Sequence, residues 1–205
     1  MNSATNPEVG RTSQDATLIR DALAHHYVAH GLPLDGGASN PWFNVRIGPL
    51  TLRLPNPPAR RRAVVMHDIN HLVTGYNTTF SEGEMAIAAF EVGAGCGRLA
   101  IVWFINLSML ALGLVVTPRA AFAAFVRGRR SASIYASDRD TTALTAMSVE
   151  HVRTILRVDS VEARATFADR ALFVFWGVLG AVVLVAPLLI VVLALWALLR
   201  ALLPG

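Results

Sequence analysis

A mainly α-helical bundle, with a small β-hairpin and a C-terminal membrane segment, is the fold class this sequence predicts. Three observations carry the expectation. Apolar residues recur at helical spacing through most of the chain, while one stretch near residues 42–54 alternates apolar and polar residues instead. From Ala171 to Leu203 only Arg200 is charged, and thirty-odd helical residues would cover ~50 Å at ~1.5 Å each, against a hydrocarbon core of ~30 Å.

Taken in order, residues 1–13 are polar, lack the apolar core of a signal peptide, and are expected to be disordered. A helical domain is expected over 14–165 and a membrane segment over 171–203. The first helix runs from Gln14 to Gly31, with Ser13 or Asp15 as its cap and Gly31-Leu32-Pro33 as its stop. It carries His25, His26 and His30, and the 26/30 pair has chelating spacing but no acidic partner on its face. Trp42–Ile47 and Thr51–Leu54 alternate around Gly48-Pro49 and form the hairpin, which is too small to stand alone and must pack on helices. Arg60-Arg61-Arg62 opens the next helix, which stops at Gly75.

Further on, Leu99–Val116 is uncharged and suits either a short span or a buried central helix. Pro118–Arg130 is a basic amphipathic stretch suited to a membrane surface, and Thr141–Arg157 is a further helix. Pro187 either lies in one tilted C-terminal span or breaks it into a helical hairpin.

Composition narrows the function. Hydrophobic residues make up 54% of the 205, with a mean hydropathy of +0.48, too apolar for an ordinary soluble domain. All 18 basic residues are arginine, scattered and without interleaved aromatics, so no nucleic-acid partner is expected. Between Arg119 and Arg170 arginines outnumber acids nine to six, which places that region on the cytoplasmic side of a bacterial inner membrane. Cys96 is the single cysteine, so neither an intrachain disulfide nor a thiolate metal cluster can form.

The stretch Val64–Glu84, VVMHDINHLVTGYNTTFSEGE, carries the chemistry. On a helix with His67 at zero, His71 falls near ~40° and Asp68 near ~100°, a narrow sector bordering an apolar face. Two imidazoles and a carboxylate are costly to bury there unless a divalent cation satisfies them. His67, Asp68, His71 and Glu84 are the candidate ligands, with Asp68 or Glu84 alternatively free to move a proton. Ser81 and Glu84 also have capping-box spacing, which would make Glu84 a structural cap. The motif is not the His-Glu-x-x-His of zincins. Six histidines are too few for the boxes of membrane desaturases.

His67-Asp68-x-x-His71-x-x-Thr74-Gly75-Tyr76 followed by Gly83-Glu84 resembles the Coq-four family of ubiquinone biosynthesis, with Leu54-Pro55-Asn56 and the arginines before the motif adding to the likeness. The resemblance covers roughly residues 40–160. It implies a helical, membrane-associated protein binding a divalent cation, zinc by the family's pattern, through His67, Asp68, His71 and Glu84. It also implies an apolar cleft for a prenylated aromatic quinone precursor or other isoprenoid lipid, and association with other quinone-biosynthesis proteins. Two departures stand out: twelve residues separate His71 from Glu84 where the family has eleven, and the C-terminal apolar block is additional.

Three functions remain open on these residues. One is a metal-dependent enzyme of isoprenoid-quinone biosynthesis, the resemblance implying oxidative removal of a ring carboxyl group, with Arg60–Arg62 drawing in an anionic headgroup. A second is a lipid-binding scaffold in which the metal only fixes the helices. The third is a small membrane metallohydrolase acting on lipid phosphates.

Overall fold

The computed structural model describes residues 16–37, 39–47, 50–136, 140–159 and 164–202. The residues expected to be disordered, and the expected caps Ser13 and Asp15, lie outside that set. The fold is mainly helical: among the described residues are eight α-helices and one two-stranded antiparallel hairpin.

Helix α1 (Ile19–Ala29) buries Ile19, Leu23 and Tyr27, one residue per turn. Its start is held by backbone rather than by a side-chain cap, Ile19 N–H donating to the Met147 carbonyl and Val149 N–H to that of Thr17, both at 2.9 Å. The hairpin β1 (Trp42–Ile47) and β2 (Leu50–Pro55) sets Phe43 opposite Leu54. It leans on the first turn of α2 (Pro58–Thr74), where the Arg60 guanidinium lies 3.7 Å from the centre of the Phe43 ring. Pro58 opens α2, where a missing N–H costs nothing, and Gly75 closes it at φ 77° with its N–H on the His71 carbonyl.

A wide π-helical turn, Phe80–Glu84, leads into α3 (Met85–Ala94), the most deeply buried helix. Helix α5 (Pro118–Arg130) packs against it through reciprocal glycines: a Cβ on Gly93 would strike the Phe125 carbonyl, and one on Gly128 the Phe90 carbonyl. So α5 uses its buried face, Ala121, Ala124, Phe125 and Gly128, for packing, while Pro118, Arg119, Ala120 and Ala123 stay exposed. Three of its four arginines are spent on contacts within the chain. Arg127 donates to the carbonyls of Thr74 (2.9 Å) and Val158 (3.1 Å), and Arg129 and Arg130 clasp Asp169. The anticipated helix over Thr141–Arg157 is two helices, α6 (Thr141–Thr145) and α7 (Val149–Leu156). Ser148 caps the second by accepting the His151 N–H, and the backbone bonds to α1 occupy the break.

Helix α4 (Ala100–Val116) is a packed element carrying the buried polar Asn106, and it lies between α3 and the last helix. That last helix, α8 (Phe167–Leu202), is one continuous helix with Pro187 inside it, so no hairpin forms. Its first half is docked: Phe173 meets the rings of Phe122 and Phe125, Trp176 stacks on Trp103 at 4.9 Å, and Gly180 sits against the Leu107 carbonyl. Beyond Val183 it is free and apolar, with Leu188 to Trp196 largely exposed. The free part, from there to Leu202, is ~28 Å long at ~1.5 Å per residue, close to one hydrocarbon thickness. Phe167–Trp196 is thus long and apolar enough to cross a membrane.

Candidate metal centre

Residues 60, 63, 64, 67 and 71 follow one stripe of α2, and that stripe faces α3 and α4. His71 lies at its end, almost fully buried. Its Nδ1–H donates to the Tyr76 carbonyl at 2.9 Å, which leaves the Nε2 lone pair free. One turn earlier, His67 Nδ1–H donates to the Glu91 carboxylate at 3.1 Å, which likewise turns its Nε2 outward. The two Nε2 atoms meet at 3.2 Å, and the Glu84 oxygens stand 3.4 Å from His67 and 3.5 Å from His71. Two lone pairs and a carboxylate converge on one point. Such a point needs positive charge, supplied either by a proton on His67 or by a metal ion.

Spacing tests the second option. Donor atoms ~2.0–2.1 Å from a tetrahedral ion stand about 3.3–3.4 Å apart; the two Nε2 atoms are 3.2 Å apart, and each faces its own Glu84 oxygen, Oε2 at 3.4 Å from His67 and Oε1 at 3.5 Å from His71. His67, His71 and Glu84 can therefore hold a metal ion, all their donor atoms lying within 4.8 Å of one another. Each imidazole also has the partner on its far nitrogen that orients metal-bound histidines, a carboxylate for one and a carbonyl for the other.

Glu84 reaches the site because of the π-helical turn. The Thr79 carbonyl accepts both Gly83 N–H (2.8 Å) and Glu84 N–H (2.9 Å), so the turn holds one residue more than an α-turn. Gly83 packs so tightly on Asn77 that a Cβ would strike its carbonyl oxygen. Thr79, not Ser81, precedes the turn, and no side-chain cap forms. The capping-box alternative for Glu84 is thereby replaced: its carboxylate is turned to the histidines. Burial pushes the Glu84 carboxyl up, but the hydrogen bonds and charges of His67 and His71 outweigh it and bring it down to about 2.

Asp68 stands apart from the triad. At ~100° around the helix its carboxylate points toward α1 and accepts the Tyr27 hydroxyl at 2.8 Å. The Tyr27 ring is packed in turn under Gly36, where a Cβ would come within 2.8 Å of it. His26 and His30 lie outside the triad, their rings tilted at 38° with centroids 4.3 Å apart, and His30 bonds the His26 carbonyl and Thr78.

Glu91 is the functional residue that sequence reasoning passed over. It is 1% exposed, and four side chains donate to it: Asn70 (2.8 Å), Asn106 (2.6 Å), Tyr135 (2.8 Å) and His67. Burial pushes its carboxyl up, but the His67 charge and the hydrogen bonds of His67, Asn70 and Tyr135 hold it below the usual range. Burial opposes charge on His67, and Glu91 and Glu84 together drive its pKa well above the ordinary value. One signal existed. A lone carboxylate in an apolar helix, two turns after Glu84, shares the face of Glu84. Asn106 and Tyr135 offered none, because their partner lies 15 and 44 residues away.

His67, Glu84 and Glu91 line a half-open inner cavity of about 200 Å³ together with Ile105 and Met109. An outer, apolar groove of about 640 Å³ runs between the hairpin and α4, lined by Phe43, Leu54, Pro57 and Phe104. Arg60, Ile101 and Ile105 line both and form the boundary between them. Comparison of the chain with protein-family models, with curated proteins and with solved structures finds no match in any of the three.

Proposed function

We propose that the chain is a membrane-anchored metalloprotein of isoprenoid-quinone biosynthesis that binds a ring-headed lipid, the head beside the metal and the tail in the outer groove. The observation that carries this reading is the convergence of the His67, His71 and Glu84 donors, two of which (His67 and Glu84) line a small cavity that shares Arg60, Ile101 and Ile105 with a larger apolar groove. A cavity of about 200 Å³ is on the scale of one aromatic ring; engineered apolar cavities of ~150 Å³ take up benzene. The resemblance to the Coq-four family supports the same reading. Its extra residue before Glu84 has a natural home in the wide turn at Phe80–Glu84, which returns the carboxylate to the histidines.

Zinc is the metal we assign, since two imidazoles and one carboxylate form a borderline donor set that suits it. When bound it would act as a Lewis acid toward a carboxylate or ring oxygen of the ligand. The chain's own residues orient the imidazoles through Glu91 and Tyr76, keep the Glu84 carboxylate ionised, and bury the His71 ring. Three protein donors beside a cavity favour an enzyme over a scaffold, because purely structural zinc sites are closed by four. Asp68, outside the triad and held by Tyr27, is assigned to positioning α1 on α2. The free half of α8 serves as the anchor, in a bacterial inner membrane with the metal domain cytoplasmic; other quinone-biosynthesis proteins are the expected partners.

Metal analysis and lipid mass spectrometry of detergent-purified protein test the reading. One zinc per chain and a co-purifying prenylated aromatic lipid are expected, with the metal lost in His67→Ala and His71→Ala and strongly reduced in Glu84→Ala. Full metal content in both histidine variants would overturn it. Phosphate release from polyprenyl phosphates would favour the metallohydrolase, and bound precursor without turnover the scaffold.

A further inference from the structure

We propose that Arg60 selects for an acidic headgroup: ligands with a carboxylate or phosphate at the boundary between the inner cavity and the outer groove are accepted, and neutral ones are not. The inference rests on the reading of the site as one for a tailed ligand, and adds the charge that ligand carries.

Of the three consecutive arginines only Arg60 faces the site. Arg61 and Arg62 line a separate surface hollow with Pro58, Val65 and Thr141. Arg60 is fixed from two sides, its Nη1 donating to Asn56 Oδ1 at 3.0 Å and its guanidinium lying over the Phe43 ring. Asn56 is itself locked, its amide donating to the Asn40 carbonyl at 2.8 Å. The head is therefore held in place before any ligand arrives, which lowers the ordering cost of binding.

Its charge is answered only at longer range, by the Asp68 carboxylate. Among the described residues no carboxylate lies within ion-pair distance of it, although it is half-buried. The other polar groups of the inner cavity are committed: Asn106, Tyr135 and His67 donate to Glu91, while Glu84 faces the two imidazoles. Of its five N–H groups Arg60 spends one on Asn56. The remaining edge suits a two-pronged bond to a planar or tetrahedral oxyanion. A half-buried, preoriented and unpaired guanidinium between a polar chamber and a greasy one discriminates by charge, because a neutral head leaves it without an ion pair while an oxyanion completes it.

The test is calorimetric titration of zinc-loaded full-length protein with para-hexyloxybenzoate, its methyl ester and hexyl phosphate. The acids are expected to bind at least about tenfold tighter than the ester, an Arg60→Gln variant to bring them to the ester's affinity, and Arg61→Gln to keep the preference. Whichever of carboxylate and phosphate binds tighter identifies the oxyanion. Equal binding of acid and ester to the unaltered protein, or a preference that survives Arg60→Gln, would overturn the selector. Should Arg60→Gln not fold, Arg60→Lys keeps the charge but loses the planar edge. A severalfold smaller preference is then expected, and an unchanged one overturns the proposal. No saturable binding of any probe defeats the tailed-ligand reading itself, whereas saturable binding without acid preference defeats the selector alone.

Discussion

Two carboxylates flank the same pair of histidines and end in opposite situations. Asp68 follows His67 directly in the sequence, yet its carboxylate turns to Tyr27 on α1 and burial raises its pKa. Glu91 lies 24 residues from His67, yet it bonds that imidazole directly and is held ionised by four donors drawn from α2, α4 and the segment after α5. Adjacency along a helix put Asp68 a quarter-turn away from the site, while two turns along α3 put Glu91 under it. A carboxylate's place in the structure is decided by the face it shares, not by its distance along the chain.

The largest way to sharpen that contrast is to strip each carboxylate in turn. Glu91→Ala leaves Asn70, Asn106, Tyr135 and His67 without an acceptor in a buried site, and a loss of about 3–5 kcal/mol in denaturant unfolding is expected. Glu91→Gln keeps the volume but not the charge. Zinc affinity by competition with a chelator should fall about 10–100-fold, as is usual when the outer partner of a metal-bound histidine is altered. An unchanged affinity would make Glu91 a structural group only. Gly83→Ala comes next. Its Cβ strikes the Asn77 carbonyl, so the wide turn must open and carry Glu84 away from His67 and His71. A lower melting temperature together with weaker zinc binding is expected, whereas a variant that melts earlier but binds zinc as before would separate the turn from the ligand.

Local signals were legible and long-range ones were not. Gly75 as the stop of α2, the hairpin alternation and the shared sector of His67 and His71 all depend on neighbours within a turn or two, and each appears in the structure, while α2 starts at Pro58, two residues before the expected arginine triplet. The break between α6 and α7 escaped notice because it is set by backbone bonds to Thr17 and Ile19, more than a hundred residues away. Helix α5 is ambiguous by pattern for a related reason. A basic amphipathic helix has the same pattern whether its arginines face headgroups or, as here, the Thr74 and Val158 carbonyls and Asp169. The Glu84 capping box failed on geometry: its spacing assumes an α-turn, and the turn that forms is one residue wider.

The finest prediction is that Asp68 and Glu84 give the metal-free protein pH dependences of opposite sign. Glu84 is depressed from 4.5 to about 2, so the unfolded chain binds more protons between those values. Its contribution is present above pH 4.5 and is lost as pH falls toward 2. Asp68 is raised above 3.8, chiefly by burial, so the folded chain holds the extra proton and the contribution of Asp68 is lost as pH rises through its folded pKa. Glu84→Gln should therefore flatten the acid limb of a urea-unfolding series, and Asp68→Asn should raise stability at neutral pH relative to acid while leaving zinc binding intact. Asp68→Ala, which leaves the Tyr27 hydroxyl without its acceptor, should cost about 1–3 kcal/mol instead. Loss of zinc from Asp68→Asn would move Asp68 back among the ligands and dissolve the contrast with Glu91.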